Sequence, residues 1–298
     1  MSSTVSNNRS IARNLVEAAI MVAIATVLSL IKILDLPYGG SVTIACMLPI
    51  VIISYRNGIR WGILTGVVFG IIQQLLGLNT LSYVTTWQSI LAVILLDYII
   101  AFMVSGLGGI FRKTVRSQSG ALLLGSIFIC ILRYICHVIS GATVWAGLSI
   151  PTNAALIYSF GYNATYMIPE TIVTAVMAYY IGSMLDFREE SVTRMRTAEK
   201  KNLSVFNVLG GLVLMGTAIF DAVLIFSHLQ NPETGEFDIT GMGSAGTVTI
   251  KIGKAKIAEI ATGLGSRDLI TIGIVSGCAV VIAVIFFVIA KKREKNSN

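Results

Sequence analysis

The chain has 298 residues, of which 55% are hydrophobic and only 12% are charged, and its formal net charge is +7. Soluble domains carry about 25% charged residues, so this composition, with a mean hydropathy of +0.81, excludes a soluble globular protein. The basic residues lie in short stretches between apolar segments, as orientation signals do in membrane proteins, which argues against nucleic-acid binding.

Eight apolar stretches predict membrane-spanning helices, although the second is short for a span. They cover residues 11–34, 42–55, 58–77, 84–110, 119–145, 155–184, 203–228 and 268–290. We expect Pro49 to break the second stretch, and a polar cluster from Asn79 to Thr86 to separate the third from the fourth. The sequence therefore predicts an all-α integral membrane protein with eight spans.

Lysine and arginine collect in alternate connections between these spans. The basic connections are 9–13, 56–60, 112–116, 188–201 and 291–295, whereas 35–41, 78–86 and 146–154 contain almost no Lys or Arg. Because basic connections are retained on the cytoplasmic side, this pattern predicts that both termini lie in the cytoplasm.

A change in composition predicts two membrane units. Residues 1–186 form a six-span unit, residues 187–202 a charged cytoplasmic linker, and residues 203–298 a two-span extension. We expect the connection 229–267 within the extension to be external. Its segment 247–260 alternates between apolar and polar residues like a short β-hairpin.

Motifs of the common enzyme classes are absent from the sequence. Without a G-x-x-x-x-G-K-[ST] phosphate loop, the chain is not expected to hydrolyse ATP by itself, and neither H-E-x-x-H nor G-x-S-x-G occurs. Asp97 and Glu170 lack the flanking motifs of an intramembrane aspartyl enzyme. The four cysteines lie in apolar segments without the spacing of metal ligands. We expect no enzyme, no metal site and no cofactor.

One carboxylate lies in the middle of an apolar span. The run from Leu91 to Ala101 reads LAVILLDYIIA, with Asp97 near its centre. A carboxylate at that depth costs at least about 2.5 kcal/mol on insertion scales, so it indicates a partner and a functional site.

The fifth span carries a polar stripe that can meet this carboxylate. Arg133, His137, Gly141 and Trp145 follow one another at intervals of four residues and share one helix face. Arg133 lies near mid-depth and is a possible neighbour of Asp97. A purely structural ion pair, an interhelical hydrogen bond from the histidine and an interfacial anchor at the tryptophan are the alternatives.

Tyr158 and Asn163 open the sixth span on the same outer side. Asn163 can also be read as a hydrogen-bonding residue between helices. Together, a carboxylate, a histidine, an amide and aromatic rings favour a pocket for a small, flat, cationic ligand, because aromatic faces and a desolvated carboxylate both attract cations.

Small residues recur at intervals of four on two other spans. Ala19 and Ala23 lie on the first span, and Gly62, Gly66 and Gly70 on the third. Such spacing allows another helix to approach closely. For the glycines we predict packing within the chain, whereas periodicity alone leaves the alanines open between internal packing and docking on another protein.

Four separated stretches resemble a known family. The segments 37–50 (PYGGSVTIACMLPI), 95–102 (LLDYIIAF), 133–147 (RYICHVISGATVWAG) and 158–170 (YSFGYNATYMIPE) resemble the thiamine-specific substrate-binding subunit of energy-coupling factor transporters. The resemblance covers about residues 11–186. It implies a six-helix bundle in the cell membrane that binds thiamine from outside at high affinity, with a transmembrane coupling subunit and two ATPase subunits supplying the energy.

The resemblance also implies a role for particular residues. It assigns thiamine binding to Asp97, Tyr98, His137, Gly141, Trp145, Tyr158, Asn163 and, in a lid after the first span, Tyr38. It assigns docking on the coupling subunit to Ala19 and Ala23. Residues 203–298 have no counterpart in the six-helix pattern. The alternatives are a solitary proton-coupled vitamin carrier, and a structural or regulatory membrane subunit in which Asp97 and Arg133 form a packing pair.

Overall fold

The computed structural model describes residues 2–36, 39–84, 86–144, 153–195, 205–229, 246–252 and 255–296. Helices dominate these ranges. They are α1 Ser2–Leu30, α2 Leu48–Asn57, α3 Ile59–Leu76, α4 Trp87–Arg112, α5 Gln118–Thr143, α6 Asn153–Met184, α7 Val205–Leu229 and α8 Ser266–Asn296. The strands pair as three antiparallel ribbons: β1 Lys32–Asp35 with β2 Ser41–Thr43, β3 Leu185–Asp186 with β4 Thr193–Arg194, and β5 Gly246–Ile252 with β6 Ala255–Thr262.

Six helical segments in the described ranges are long and apolar enough to cross a membrane. They are Ile11–Leu30, α3, α4, α5, α7 and Ser266–Lys292. α2 has only 10 residues, and its residues 48–55 are buried in the core of the bundle. The prediction of a mostly helical, multi-span membrane protein is confirmed, whereas the count of eight spans and the cytoplasmic placement of the termini stay predictions.

Two predicted boundaries are wrong in the same region. The first span was expected to reach residue 34, but α1 ends at Leu30 and the chain then turns back on itself, with Asp35 of β1 opposite Ser41 of β2. The second span was expected to begin at residue 42 and to break at Pro49. Instead α2 begins at Leu48 with the proline in its first turn, where the missing N–H removes no helical hydrogen bond.

The glycines of α3 place α4 directly against it. A side chain at Gly62 would collide with Ser54 and the carbonyl oxygen of Gly106, and one at Gly66 would collide with the carbonyl oxygen of Phe102. Without side chains at these positions the two backbones approach closely, which is how small residues join membrane helices. The predicted packing within the chain is confirmed.

Charged residues join three elements at one end of the bundle, which we call the basic end. Arg56, at the end of α2, binds the Glu17 carboxylate of α1 at 3.0 Å, and its Nη1 donates to the carbonyl oxygen of Phe187 at 3.1 Å. Arg13 lies 3.6 Å from the same carboxylate. The start of the predicted linker is therefore held against the six-helix unit rather than extended away from it.

The extension packs on the bundle through α7, which contacts α6 and α8. α7 and α8 are joined by a polar contact, since the Ser276 hydroxyl donates to the Asp221 carboxylate at 2.5 Å. The hairpin predicted at 247–260 is confirmed, because β5 and β6 pair there in antiparallel register. Its position outside the cell stays a prediction.

We predict that Gly66→Ala destabilises the protein by about 1–3 kcal/mol, because the new methyl group overpacks the interface between α3 and α4. The measurement is thermal unfolding of the purified protein in detergent. Gly216→Ala is the matched control, since a methyl group on that α7 glycine meets no atom within 4 Å. Equal unfolding midpoints for the two variants would contradict the close packing.

Candidate functional site

A cavity of about 270 Å³ lies in the half of the bundle opposite the basic end. Its walls come from α3, α4, α5 and α6, and the turn of the β1–β2 hairpin borders it through Gly39, Gly40 and Ser41. Six of the predicted site residues line it: Asp97, Tyr98, His137, Gly141, Tyr158 and Asn163. Trp145 and Tyr38, the other two predicted ligand-binding residues, lie outside the described residues.

Asp97 is held by two short hydrogen bonds from α5. Its Oδ1 lies 2.8 Å from Nδ1 of His137, and the Ser140 hydroxyl donates to its Oδ2 at 2.5 Å. The carboxylate lies in the π-helical turn Ile94–Ile100 of α4, a distortion that is common at functional sites. The side chains of Asp97 and His137 are 14% and 11% exposed, so the pair is shielded but reaches the cavity.

His137 has one ring nitrogen left for another partner. Its Nδ1 faces Asp97, whereas its Nε2 is buried and has no hydrogen-bond partner within the described chain. A carboxylate at one nitrogen fixes the orientation of an imidazole and determines which nitrogen carries the proton. The arrangement therefore presents an oriented imidazole and a carboxylate on the same wall.

Three tyrosines at intervals of four residues form the α6 wall. The rings of Tyr158 and Tyr162 are stacked, with an interplanar angle of 4° and centroids 6.2 Å apart. Tyr166 meets Tyr162 edge-on at 6.1 Å and lies 6.1 Å from the His137 ring. Aromatic faces attract cations, so this wall and the carboxylate opposite it suit a flat, positively charged molecule.

Asn163 joins α5 to α6 beside these rings. Its Nδ2 donates to the carbonyl oxygens of Ser159 at 2.8 Å and His137 at 3.3 Å, and its Oδ1 accepts from the Tyr166 hydroxyl at 2.6 Å. A side chain on Gly141 would collide with Ser159, so this glycine allows the close approach of the two helices. The amide thus bridges helices, as the alternative reading proposed, and also lines the cavity.

Comparison with known proteins identifies the family. The model of the family described as thiamine transporter protein matches residues 15–187. The thiamine transporter ThiT of Bacillus subtilis (strain 168) is 36% identical to this chain over an alignment of 174 residues, which covers 55% of this chain and 86% of that protein. The chain belongs to the thiamine transporter protein family. A solved structure of ThiT from Listeria monocytogenes matches 58% of this chain and 94% of its own, at 22% identity and a TM-score of 0.48.

Membership of the thiamine transporter family confirms several predictions. The family found by resemblance is confirmed, and the protein is a multi-pass protein of the cell membrane and not an enzyme. The family match ends at residue 187, so α7, α8 and the β5–β6 hairpin lie outside it.

Arg133 contacts residues other than Asp97, its predicted neighbour. Its guanidinium lies 4.4 Å from the centre of the Phe102 ring, its Nη1 contacts the Met47 sulfur at 2.6 Å, and it is near enough to Glu170 to interact electrostatically. Asp97 forms hydrogen bonds with His137 and Ser140, which a simple ion pair with an arginine would not include. The pairing of Asp97 with Arg133 stays a prediction.

Several residues that line this cavity were not predicted from the sequence. Ser140 lies three residues after His137, and therefore on the same helix face, which was the available signal. Tyr162 and Tyr166 continue the spacing of four that begins at Tyr158. Thr80 is different, because only the fold brings its hydroxyl within 3.0 Å of the Tyr98 hydroxyl.

Glu170 anchors the hairpin that borders the cavity. Its two carboxylate oxygens accept from the Thr43 backbone N–H at 2.6 Å and from the Thr43 hydroxyl at 2.8 Å. Glu170 is 2% exposed. Glu170 thus has a structural role, since it connects α6 directly to β2.

We predict that Glu170→Gln loosens this hairpin, because the amide has one acceptor oxygen where the carboxylate uses two, and a buried donor left without an acceptor costs about 1–3 kcal/mol. Hydrogen–deuterium exchange of residues 41–46 should become about ten-fold faster or more. Glu189→Gln changes an exposed glutamate near the basic end and should leave this exchange unchanged. Wild-type protection in Glu170→Gln would show that other contacts hold the hairpin.

Proposed function

We propose that this chain is the thiamine-binding subunit of an energy-coupling factor transporter, and that it captures thiamine outside the cell at high affinity. The observation that carries the proposal is the Asp97 carboxylate, held by His137 and Ser140 in the wall of an aromatic cavity. Family membership and the ThiT relative of Bacillus subtilis support thiamine as the ligand.

Thiamine matches the chemistry of the cavity. It carries a permanent positive charge on its thiazolium ring, joined to a flat aminopyrimidine. In the proposed complex Asp97 offsets the thiazolium charge or accepts from the amino group. Nε2 of His137, which is buried and has no partner within the described chain, and the Asn163 amide are hydrogen-bond partners. Tyr158 stacks on a ligand ring, with Tyr98 and Gly141 beside it, while Trp145 and Tyr38 stay predicted contributors to stacking and closure.

The energy for uptake comes from other proteins in this proposal. The sequence has no phosphate loop, so ATP hydrolysis belongs to two ATPase subunits that act through a transmembrane coupling subunit. Ala19 and Ala23 are exposed on α1, whereas Ala18 and Val22 are buried against the bundle. This open face with small residues supports the alanine pair as the docking surface in the bilayer.

A second candidate function is a solitary proton-coupled carrier. The observation that favours it is the contact of 2.8 Å between Asp97 and His137 within the membrane. Chains of Asp, Glu and His are the usual proton relays of membrane transporters. In this alternative the same pair binds the substrate and exchanges a proton, and no ATPase takes part.

We predict that Asp97→Asn weakens thiamine binding by ten-fold or more, because the amide has the shape of the carboxylate but not its charge. Equilibrium dialysis with the purified full-length chain measures the effect. Asp221→Asn is the matched control, since it neutralises another membrane-embedded aspartate, on α7, away from this cavity. Wild-type affinity in Asp97→Asn would remove the carboxylate from the binding site.

We predict that Ala23→Trp leaves thiamine binding unchanged but blocks uptake, because the large ring prevents close approach of the coupling subunit. The measurement is ATP-driven thiamine uptake into vesicles that contain this chain and its partner subunits. Val284→Trp is the control, since Val284 on α8 is also exposed, at 51%.

The same vesicles distinguish the two candidate functions. With this chain alone, the transporter-subunit proposal expects binding without uptake, even under a proton gradient. Gradient-driven uptake by the chain alone would favour the proton-coupled carrier. Normal uptake by Ala23→Trp with partners present would contradict docking at the alanine pair while leaving the thiamine site intact.

A further inference from the structure

A second cavity, of about 550 Å³, lies at the basic end of the bundle, between the α2–α3 connection and the end of α4. Three cationic side chains line it, together with one tryptophan and two small polar residues. They are Arg60, Arg112, Lys113, Trp61, Ser54 and Asn57. The described residues that line this cavity include no Asp or Glu, so its walls favour an anion.

None of the three cations has a counter-ion among the residues that the structure describes. Arg60 and Lys113 form no ion pair within the part of the chain that the structure describes. Arg112 is fixed in place, since its Nη1 donates to the carbonyl oxygen of Arg56 at 2.8 Å and its guanidinium lies over the Tyr55 ring. The nearby carboxylate of Glu17 is already bound by Arg56.

The backbone adds to this positive potential. α3 begins at Ile59, on the cavity wall, and no side chain caps its first turn. The first N–H groups of a helix lack intrahelical partners and carry partial positive charge. Gly58, which precedes the helix with φ +95°, leaves open space around its Cα. The cations and the helix start therefore face the same volume.

An apolar stripe leads from this cavity along α3. Leu64, Val68, Ile71 and Leu75 follow Trp61 at intervals of three or four residues and are 50%, 42%, 48% and 63% exposed. Tryptophan is typical of the boundary between headgroups and acyl chains. A lipid with its charged headgroup in the cavity would thus place its hydrocarbon chain along this stripe.

We propose that this cavity binds the headgroup of an anionic phospholipid, with its phosphate against Arg60, Lys113 and Arg112 and an acyl chain along the α3 stripe. Basic pockets at the cytoplasmic ends of membrane helices bind lipid headgroups of this kind. A soluble phosphate ester would use the same cations but not the stripe, which is why the lipid is the ligand we name.

The test is native mass spectrometry of the purified full-length chain, titrated with dioleoyl phosphatidylglycerol or dioleoyl phosphatidylcholine. We expect the anionic lipid to bind at least about ten-fold more tightly. The double variant R60Q/K113Q should lose about 25-fold in affinity for it, about five-fold for each charge. R116Q, which removes an exposed charge three residues from Lys113 but outside the cavity, should bind like the wild type.

Four outcomes would overturn the proposal. Equal affinity for the two lipids would show that the charge of the headgroup does not affect binding. Equal losses in R60Q/K113Q and R116Q would show a diffuse effect of surface charge. Competition by glycerol 3-phosphate at matched concentration would assign the site to a soluble phosphate ester. Retained lipid binding in R60Q/K113Q would show that Arg60 and Lys113 do not hold the headgroup. Size-exclusion profiles and unfolding midpoints check that each variant is folded.

Discussion

The hydrogen-bonded carboxylate of Asp97 is the interaction on which the site depends. Its burial in a bilayer costs at least about 2.5 kcal/mol, and hydrogen bonds to a charged group contribute about 1.5–3 kcal/mol each. Two such bonds, from His137 and Ser140, offset that cost. The acid therefore has its hydrogen-bond partners in the membrane before any ligand arrives, and it lines the cavity that a ligand would enter.

The position of this carboxylate follows from how α4 is held on both sides. On one side the glycines of α3 let the α4 backbone approach without intervening side chains, and Gly70 would otherwise meet the carbonyl oxygen of Tyr98. On the other side, a side chain on Gly125 of α5 would collide with Gly108 of α4. Because α4 cannot slide between such close neighbours, the π turn that carries Asp97 stays opposite His137.

Periodicity predicted the parts of the site that lie on single helices. His137 and Gly141 share a face of α5, and a regular helix fixes that relation. The π turn at Asp97 changes the number of residues per turn, which no pattern in the run 91–101 encodes. The hairpin at 32–43 was read as the end of one span and the start of another, because its apolar residues continue the hydrophobic runs. Contacts such as Glu170 with Thr43 join residues 127 apart, and only the folded chain reveals them.

α6 lies between the cavity and α7, and it contributes to the surroundings of both. One of its faces carries Tyr158, Tyr162 and Tyr166 into the cavity, and another face, which includes Phe160 and Ala164, borders a cleft beside α7. The described helices of the extension thus pack on the back of a wall of the site, and α7 also contacts β1. Since Ala19 and Ala23 are exposed while α7 and α8 are present, the extension also leaves the α1 face open. Among the described residues, both the cavity and the small-residue face of α1 are therefore kept, because α7 and α8 occupy a third side of the bundle.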